Sequence, residues 1–218
     1  MFHGFSQETI DFFFQLRENN NKQWFHEHRE EYQKYVQEPF KELVMEMGPM
    51  MLSIDPQFEI APRRAISRIN RDIRFTRDKS PYRANRWISF KRLALDWKVE
   101  PVYFFEVFPE FYRYGMGYYN VPREVMDRIR EMIDARKHKF MKIHKLYKSQ
   151  DVFTMEGIKY KRILNKELPE DLNEWYQRKE LTFVCNRMDD LIFRPELVDA
   201  LFNDFKRIEP IYHFLREL

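Results

Sequence analysis

The chain has 218 residues but one cysteine, five glycines, and no apolar run near the roughly 18 residues that a membrane span needs. Cys185 has no second cysteine to pair with, so a disulfide scaffold is excluded and a reducing compartment is the natural setting. Glycine scarcity excludes the common phosphate cradles, where the backbone itself must approach the ligand. Neither G-x-G-x-x-G nor G-x-x-x-x-G-K-[ST] occurs, and Gly115-Met116-Gly117 suits a bend or bulge in an aromatic strand better than a nucleotide loop. No cofactor is therefore expected. His26 and His28 stand two apart and point to opposite sides of a helix, unlike the i, i+4 pair of a zinc helix, so no metal site is expected either. Residues 1 to 7 show neither a basic leader nor an apolar signal stretch, which predicts a cytoplasmic protein with no membrane partner.

What is present is a globular composition, 44% hydrophobic and 17% aromatic, with 38 Lys+Arg against 35 Asp+Glu. A chain of this length buries on the order of 70% of its unfolded surface, enough for a single domain over 1–218 without disulfides or metals. Four parts are expected: an N-terminal helical part over 1–53, a motif with central strands over 57–120, a helix over 122–148, and a hairpin, strand and C-terminal helix over 151–218. Ser6 caps a first helix striped by Ile10, Phe13, Phe14 and Leu16 that stops near Asn19 to Asn21. Trp24, Phe25, His28, Tyr32 and Val36 continue at helical spacing, and Pro39 kinks or restarts the helix before Leu43, Val44 and Met47.

Short aromatic and β-branched segments at 87 to 93, 101 to 108 and 111 to 119 read as antiparallel strands, joined through connections that hold Asp96, Pro101 or Pro109. Pro122 opens a helix to about Lys139. A hairpin follows, from 152 to 155 and 158 to 160, then a short helix at 170 to 176, a strand at 181 to 186 and a closing helix at 195 to 215. The fold class is α+β, with a central antiparallel sheet and helices at both ends of the chain.

Charge is unevenly placed. Residues 1–62 hold 5 Lys+Arg against 11 Asp+Glu, whereas 63–92 hold 11 Lys+Arg against only Asp72 and Asp78. Read as a strand, the basic stretch sets Arg68, Asn70, Asp72 and Arg74 on one face and Ile69, Arg71, Ile73 and Phe75 on the other. Asp72 then orients Arg68 or Arg74, leaving N–H groups to fork onto a phosphate or carboxylate, while a turn at Asp78 to Pro81 brings Lys79 and the Tyr82 hydroxyl back to that face.

The string R-x-x-R-D-x-R-F-x-x-x-K-x-P-Y is matched by Arg68, Arg71, Asp72, Arg74, Phe75, Lys79, Pro81 and Tyr82, eight fixed positions in fifteen. It resembles the hallmark of a mainly bacterial group, domain-of-unknown-function family 2461. Phe13, Leu16, Asn19, Asn20, Trp24 and Phe25, with Tyr103 to Val107, Gly115 to Gly117 and Lys161-Arg162, extend the resemblance over nearly the whole chain. It implies a single α+β domain of about this length and no established activity, substrate or catalytic residue.

The expected property is binding of an anionic small molecule, phosphate- or carboxylate-bearing, by Arg68, Arg71, Arg74 and Lys79, with Asp72 orienting and Tyr82 closing the site. Whether Asp72 or Tyr82 also does acid–base chemistry stays open. Two readings compete. In one, the cluster is a structural salt-bridge network. In the other, the chain is a nucleic-acid or protein interaction module, with the basic run from Arg123 to Lys148 beside an aromatic sheet; the acidic first 62 residues and the net charge of +3 weigh against it. Trp24, Trp87, Trp97 and Trp175 are expected in or at the edge of the core. The tyrosines are expected there too; only if the motif strand lies beside the face shared by Tyr112, Tyr114 and Tyr118 does that face line a ligand cleft, which Lys161-Arg162 on the rim of the later hairpin then completes. Oligomeric state is not legible.

Overall fold

The computed structural model describes residues 1–93 and 97–218. Asp96, and the side chain of Trp97, lie outside the described residues. Helix α1 (Gln7–Glu18) starts where Ser6 is extended and its N–H donates to Thr9 Oγ1 at 3.3 Å. Its buried face is Thr9, Phe12, Phe13 and Leu16, so the stripe lies one residue from expectation and Phe14 faces out at 37% exposure. Asn21 Oδ1 accepts the Trp24 N–H at 3.0 Å and opens α2 (Lys22–Glu27), followed by the single turn α3 (Arg29–Glu31). A π-helical turn over Tyr32–Gln37, with the Glu38 N–H bonded to the Gln33 carbonyl, then leads into α4 (Glu38–Met51). Pro39 sits in the first turn of α4, directly after the π-helical turn.

After the short α5 (Pro62–Ala65) come β1 (Arg86–Phe90), β2 (Pro101–Val107) and β3 (Tyr112–Tyr118), then α6 (Arg123–Asp134), α7 (His138–Lys148), β4 (Thr154–Glu156), α8 (Glu170–Tyr176), β5 (Thr182–Arg187), α9 (Leu197–Arg207) and α10 (Glu209–Arg216). The strands form one antiparallel sheet in the order β1-β2-β3-β5-β4. The fold is α+β, with its strands in the middle of the chain and helices at both ends.

Three expected elements differ. The helix from Pro122 ends at Asp134, because Arg136 takes a positive φ of 47° and α7 restarts at His138. The closing helix breaks at Ile208, and Pro210 stands in the first turn of α10. The hairpin at 152 to 160 does not form. Thr154–Glu156 pairs with β5, Lys159 bridges to Arg178, and Gly157, at φ 122°, turns the chain so that both stretches follow one partner. Gly115 and Gly117 lie within strand β3. A Cβ at Gly115 would come 1.9 Å from the Phe183 carbonyl oxygen, so glycine is what lets β3 approach β5.

The chain divides into two units. The first comprises Met1–Phe90, Phe104–Tyr114 and Asn186–Asn203. Its core includes Phe5, whose ring lies 4.9 Å from Phe40 and 5.8 Å from Phe105, and whose N–H donates to the Ile192 carbonyl at 2.9 Å. The second comprises Lys91–Tyr103, Gly115–Cys185 and Asp204–Leu218. Trp175, fully buried, contacts Phe140, Tyr147 and Phe183 there, and Tyr103 packs on Phe205 and Tyr212.

Candidate functional site

The basic motif lies in the first unit and is not a strand. Its only ladder contact is an isolated antiparallel bridge between Asn70 and Tyr82, flanked by Arg71 N–H to the Pro81 carbonyl (2.9 Å) and Arg83 N–H to the Ile69 carbonyl (2.8 Å). Beyond that clasp the chain leaves strand geometry for a physical reason. Asp72 Oδ1 accepts the N–H of Arg74 at 3.2 Å and Asp78 Oδ1 accepts that of Ser80 at 2.9 Å, two local turns that compete with extended pairing. The outcome is a projecting loop whose residues 74–79 are all exposed.

The base of the loop is anchored by residues distant in sequence. Asn20 reaches across with both ends of its amide: Oδ1 accepts the Tyr82 N–H and Nδ2 donates to the Tyr82 carbonyl, each at 3.0 Å. The Tyr82 ring stacks on Phe25 at 4.1 Å and 18°, and Phe25 in turn touches Phe12 and Tyr32. The two amino-acid signatures of the chain, the N-N…W-F segment and the end of the basic motif, are therefore one clamp. The asparagines divide the labour, Asn21 capping α2 and Asn20 holding the loop. Tyr82 is buried against Phe25, so it secures the loop's base and does not close over its basic face.

At the tip, Arg74 grips Asp72 in a fork, Nε to Oδ1 at 2.9 Å and Nη2 to Oδ2 at 2.7 Å. Arg71 pairs with Asp78, an acid not assigned to it from the sequence, and Lys79 Nζ donates to the Ile73 carbonyl at 2.8 Å. Arg68 and Arg77 are exposed and have no hydrogen-bond or ion-pair partner among the described residues. Phe75, placed by the strand reading on one face with Ile69 and Ile73, is 90% exposed with the Arg74 guanidinium over its ring at 5.4 Å. The hydrogen bonds from Arg74 hold the Asp72 carboxyl down to about 2, and the Ser80 hydroxyl and N–H, with Arg71, hold Asp78 lower still. The fork turns the Asp72 carboxylate toward the Arg74 guanidinium.

A second cation lies beneath. Arg86 on β1 is 4% exposed, donates to the Tyr32 hydroxyl and to Gln37 Oε1 (2.7 Å) in the π-helical turn, and leaves Nε without a partner. Burial pushes its pKa down to about 10, which leaves it charged at neutral pH. It stands in line with Ile88 and Phe90 on the buried face of β1, and a cation in register with core positions was the signal available in the sequence.

The other singled-out residues are engaged elsewhere. Tyr112 and Tyr114 in the first unit are buried, the Tyr112 hydroxyl donating to Asp189 Oδ1 at 2.7 Å, and Tyr118 in the second is buried with its hydroxyl on the Leu215 carbonyl at 3.0 Å. This face is core and not a ligand platform. Lys161 and Arg162 are exposed in the second unit. In the α6–α7 run, Asp127 takes Arg123 and Arg130, Leu218 takes Arg128, Glu217 takes Lys139 and Asp171 takes Lys148, so much of that charge is compensated. Trp24 is half-buried and stacks on His28 at 4.0 Å, and Trp87 is half-buried under Arg83. Cys185 is half-buried in β5.

A family model described as "Conserved hypothetical protein (DUF2461)" matches residues 8–214. The chain belongs to that family. The match spans the N-terminal helices, the motif loop and both units, so the clamp and the loop lie inside the family's own extent. A search of curated proteins found no match. No helix among the described residues is long and apolar enough to cross a membrane.

Proposed function

We propose that the motif loop is an anion-binding element for a phosphate- or carboxylate-bearing ligand, with Arg68, Arg74 and Lys79 as donors and Arg71 and Asp72 fixing the loop and the Arg74 fork. The observation that carries this reading is the charge imbalance on and beside a clamped, exposed loop: residues 68–83 hold six Lys+Arg against two Asp, a formal +4 in a chain of net +3. Asp72 and Asp78 cancel only part of that charge, and their hydrogen bonds restrict where the guanidinium forks point. The proposal is one of binding and assigns no reaction. It places the protein in the cytoplasm of a bacterial cell, in keeping with its single cysteine.

A second reading, that the cluster only braces the loop, is favoured by the Arg71–Asp78 pair and by Lys79 on the Ile73 carbonyl. Arg68 separates the two, since it braces nothing among the described residues. Thermal midpoints of wild type and Arg68→Gln are to be compared across pyrophosphate, nucleotides, sugar phosphates and dicarboxylates. The proposal expects equal midpoints without ligand, within about 0.5 kcal/mol, and a ligand-induced rise in the wild type that shrinks in the variant. No rise with any anion, or an equal rise in both proteins, refutes it.

A further inference from the structure

The loop is built unlike a small-molecule site. Small ligands are held in concave sites that bury most of their surface, whereas here residues 74–79 are all exposed. The apolar residue at the tip points the same way. Phe75 is 90% exposed, neighboured in sequence by Arg74 and, two residues on, by Arg77. A lone exposed phenylalanine is ordinary on a surface. One set among guanidinium groups, on a loop whose base is clasped by Asn20 and Phe25, supplies the two things that a flexible polyanion with aromatic units requires: spaced cations for its phosphates and a π-face for a base.

Building on the anion-binding reading, we infer that the ligand of this loop is a single-stranded nucleic acid, with Phe75 as a stacking platform and Arg68, Arg74, Arg77 and Lys79 along the phosphates. Seven of the eight cations in 63–83 are arginines, which stack as well as fork, and this favours nucleobases and phosphates over a generic anion. A duplex is disfavoured because its bases are already stacked and the loop carries no helix to enter a groove. An anionic membrane is disfavoured because Phe75 alone offers little apolar area to bury in a bilayer, whereas one ring suffices to stack a base.

The test is fluorescence anisotropy with labelled 20-nucleotide oligo-dT and oligo-U, with competition by UMP and by pyrophosphate, and co-sedimentation with phosphatidylserine vesicles. The expected result is oligonucleotide binding at least a hundredfold tighter than UMP. Its log K should fall with log salt at a slope of about −2 to −3, as about three or four phosphate contacts on a single strand require. Phe75→Ala should weaken the oligonucleotide by about tenfold or more and leave pyrophosphate binding unchanged. Pyrophosphate or UMP binding that Arg68→Gln abolishes, with no further gain for the oligonucleotide, overturns this inference and leaves the anion-binding proposal standing. Binding of vesicles without binding of oligonucleotides overturns it in favour of a membrane. Absence of binding by every probe overturns both.

Discussion

Arg178 and Arg68 carry the same side chain and show what decides whether a guanidinium braces a fold or faces solvent. Arg178, in the second unit, is 5% exposed and donates to the carbonyls of Gly157 (2.6 Å) and Met155 (2.7 Å) and to Glu174. Arg130 nearby donates to the carbonyls of Tyr176 and Arg178 at 3.0 and 2.7 Å. Tyr176 ends α8, Met155 lies on the edge strand β4 and Gly157 follows it, and the arginines donate to the carbonyls left there. In the motif loop of the first unit the arginines meet carboxylates at the surface, or have no hydrogen-bond or ion-pair partner among the described residues. The difference lies in burial and in partner type, not in the density of arginines along the chain.

The largest expected effect breaks the buried side of that comparison. Arg178→Ala strands two carbonyls and part of Glu174, and should cost about 3 kcal/mol or more in chemical denaturation. A loss below about 1 kcal/mol would mean that water replaces the guanidinium and that the cluster is no brace. Asn20→Ala should come next, at about 1–3 kcal/mol for two hydrogen bonds to one residue, and hydrogen exchange at Tyr82 should accelerate with it. An unchanged exchange rate at Tyr82 would show that the Phe25 stack alone holds the loop. The smallest effect concerns the surface pairs. A carboxyl lowered from 3.8 to about 2 adds stability above its unfolded pKa and gives it up as the pH falls through 2. Asp72 should therefore keep its carboxylate signal in carbon-detected NMR at pH 4 and lose it near pH 2, and in Arg74→Gln its midpoint should move up toward 3.8. A wild-type midpoint already near 3.8 would show that the Arg74 fork does not persist in solution.

Much of the fold was legible because its signals are local. Ser6, Asn21, Pro122 and the aromatic strands mark boundaries that hold to within a few residues. What was missed depends on partners far along the chain. The strand reading of the motif assumed a partner strand, while Asp72 and Asp78 were already able to bond their own backbone and turn it away. Tyr82 read as a site-closing hydroxyl because nothing near it in sequence announces Phe25 and Asn20. The tyrosine face of β3 is buried, as aromatic composition suggested, although alternation alone reports a shared face and not whether that face is covered. Arg86 entered only the charge count of residues 63–92, although its register with Ile88 and Phe90 was available to place it inside.

The central claim is that the exposed arginines of the clamped loop are donors for an anion. The most direct measurement is a pyrophosphate titration followed by NMR of the backbone amides and the arginine Nε–H groups. The account predicts saturable shifts at Arg68, Arg74 and Lys79, with Asn20 and Tyr82 unmoved because the clamp does not open. Saturable shifts confined to residues outside 63–83, or none at any concentration, would contradict it.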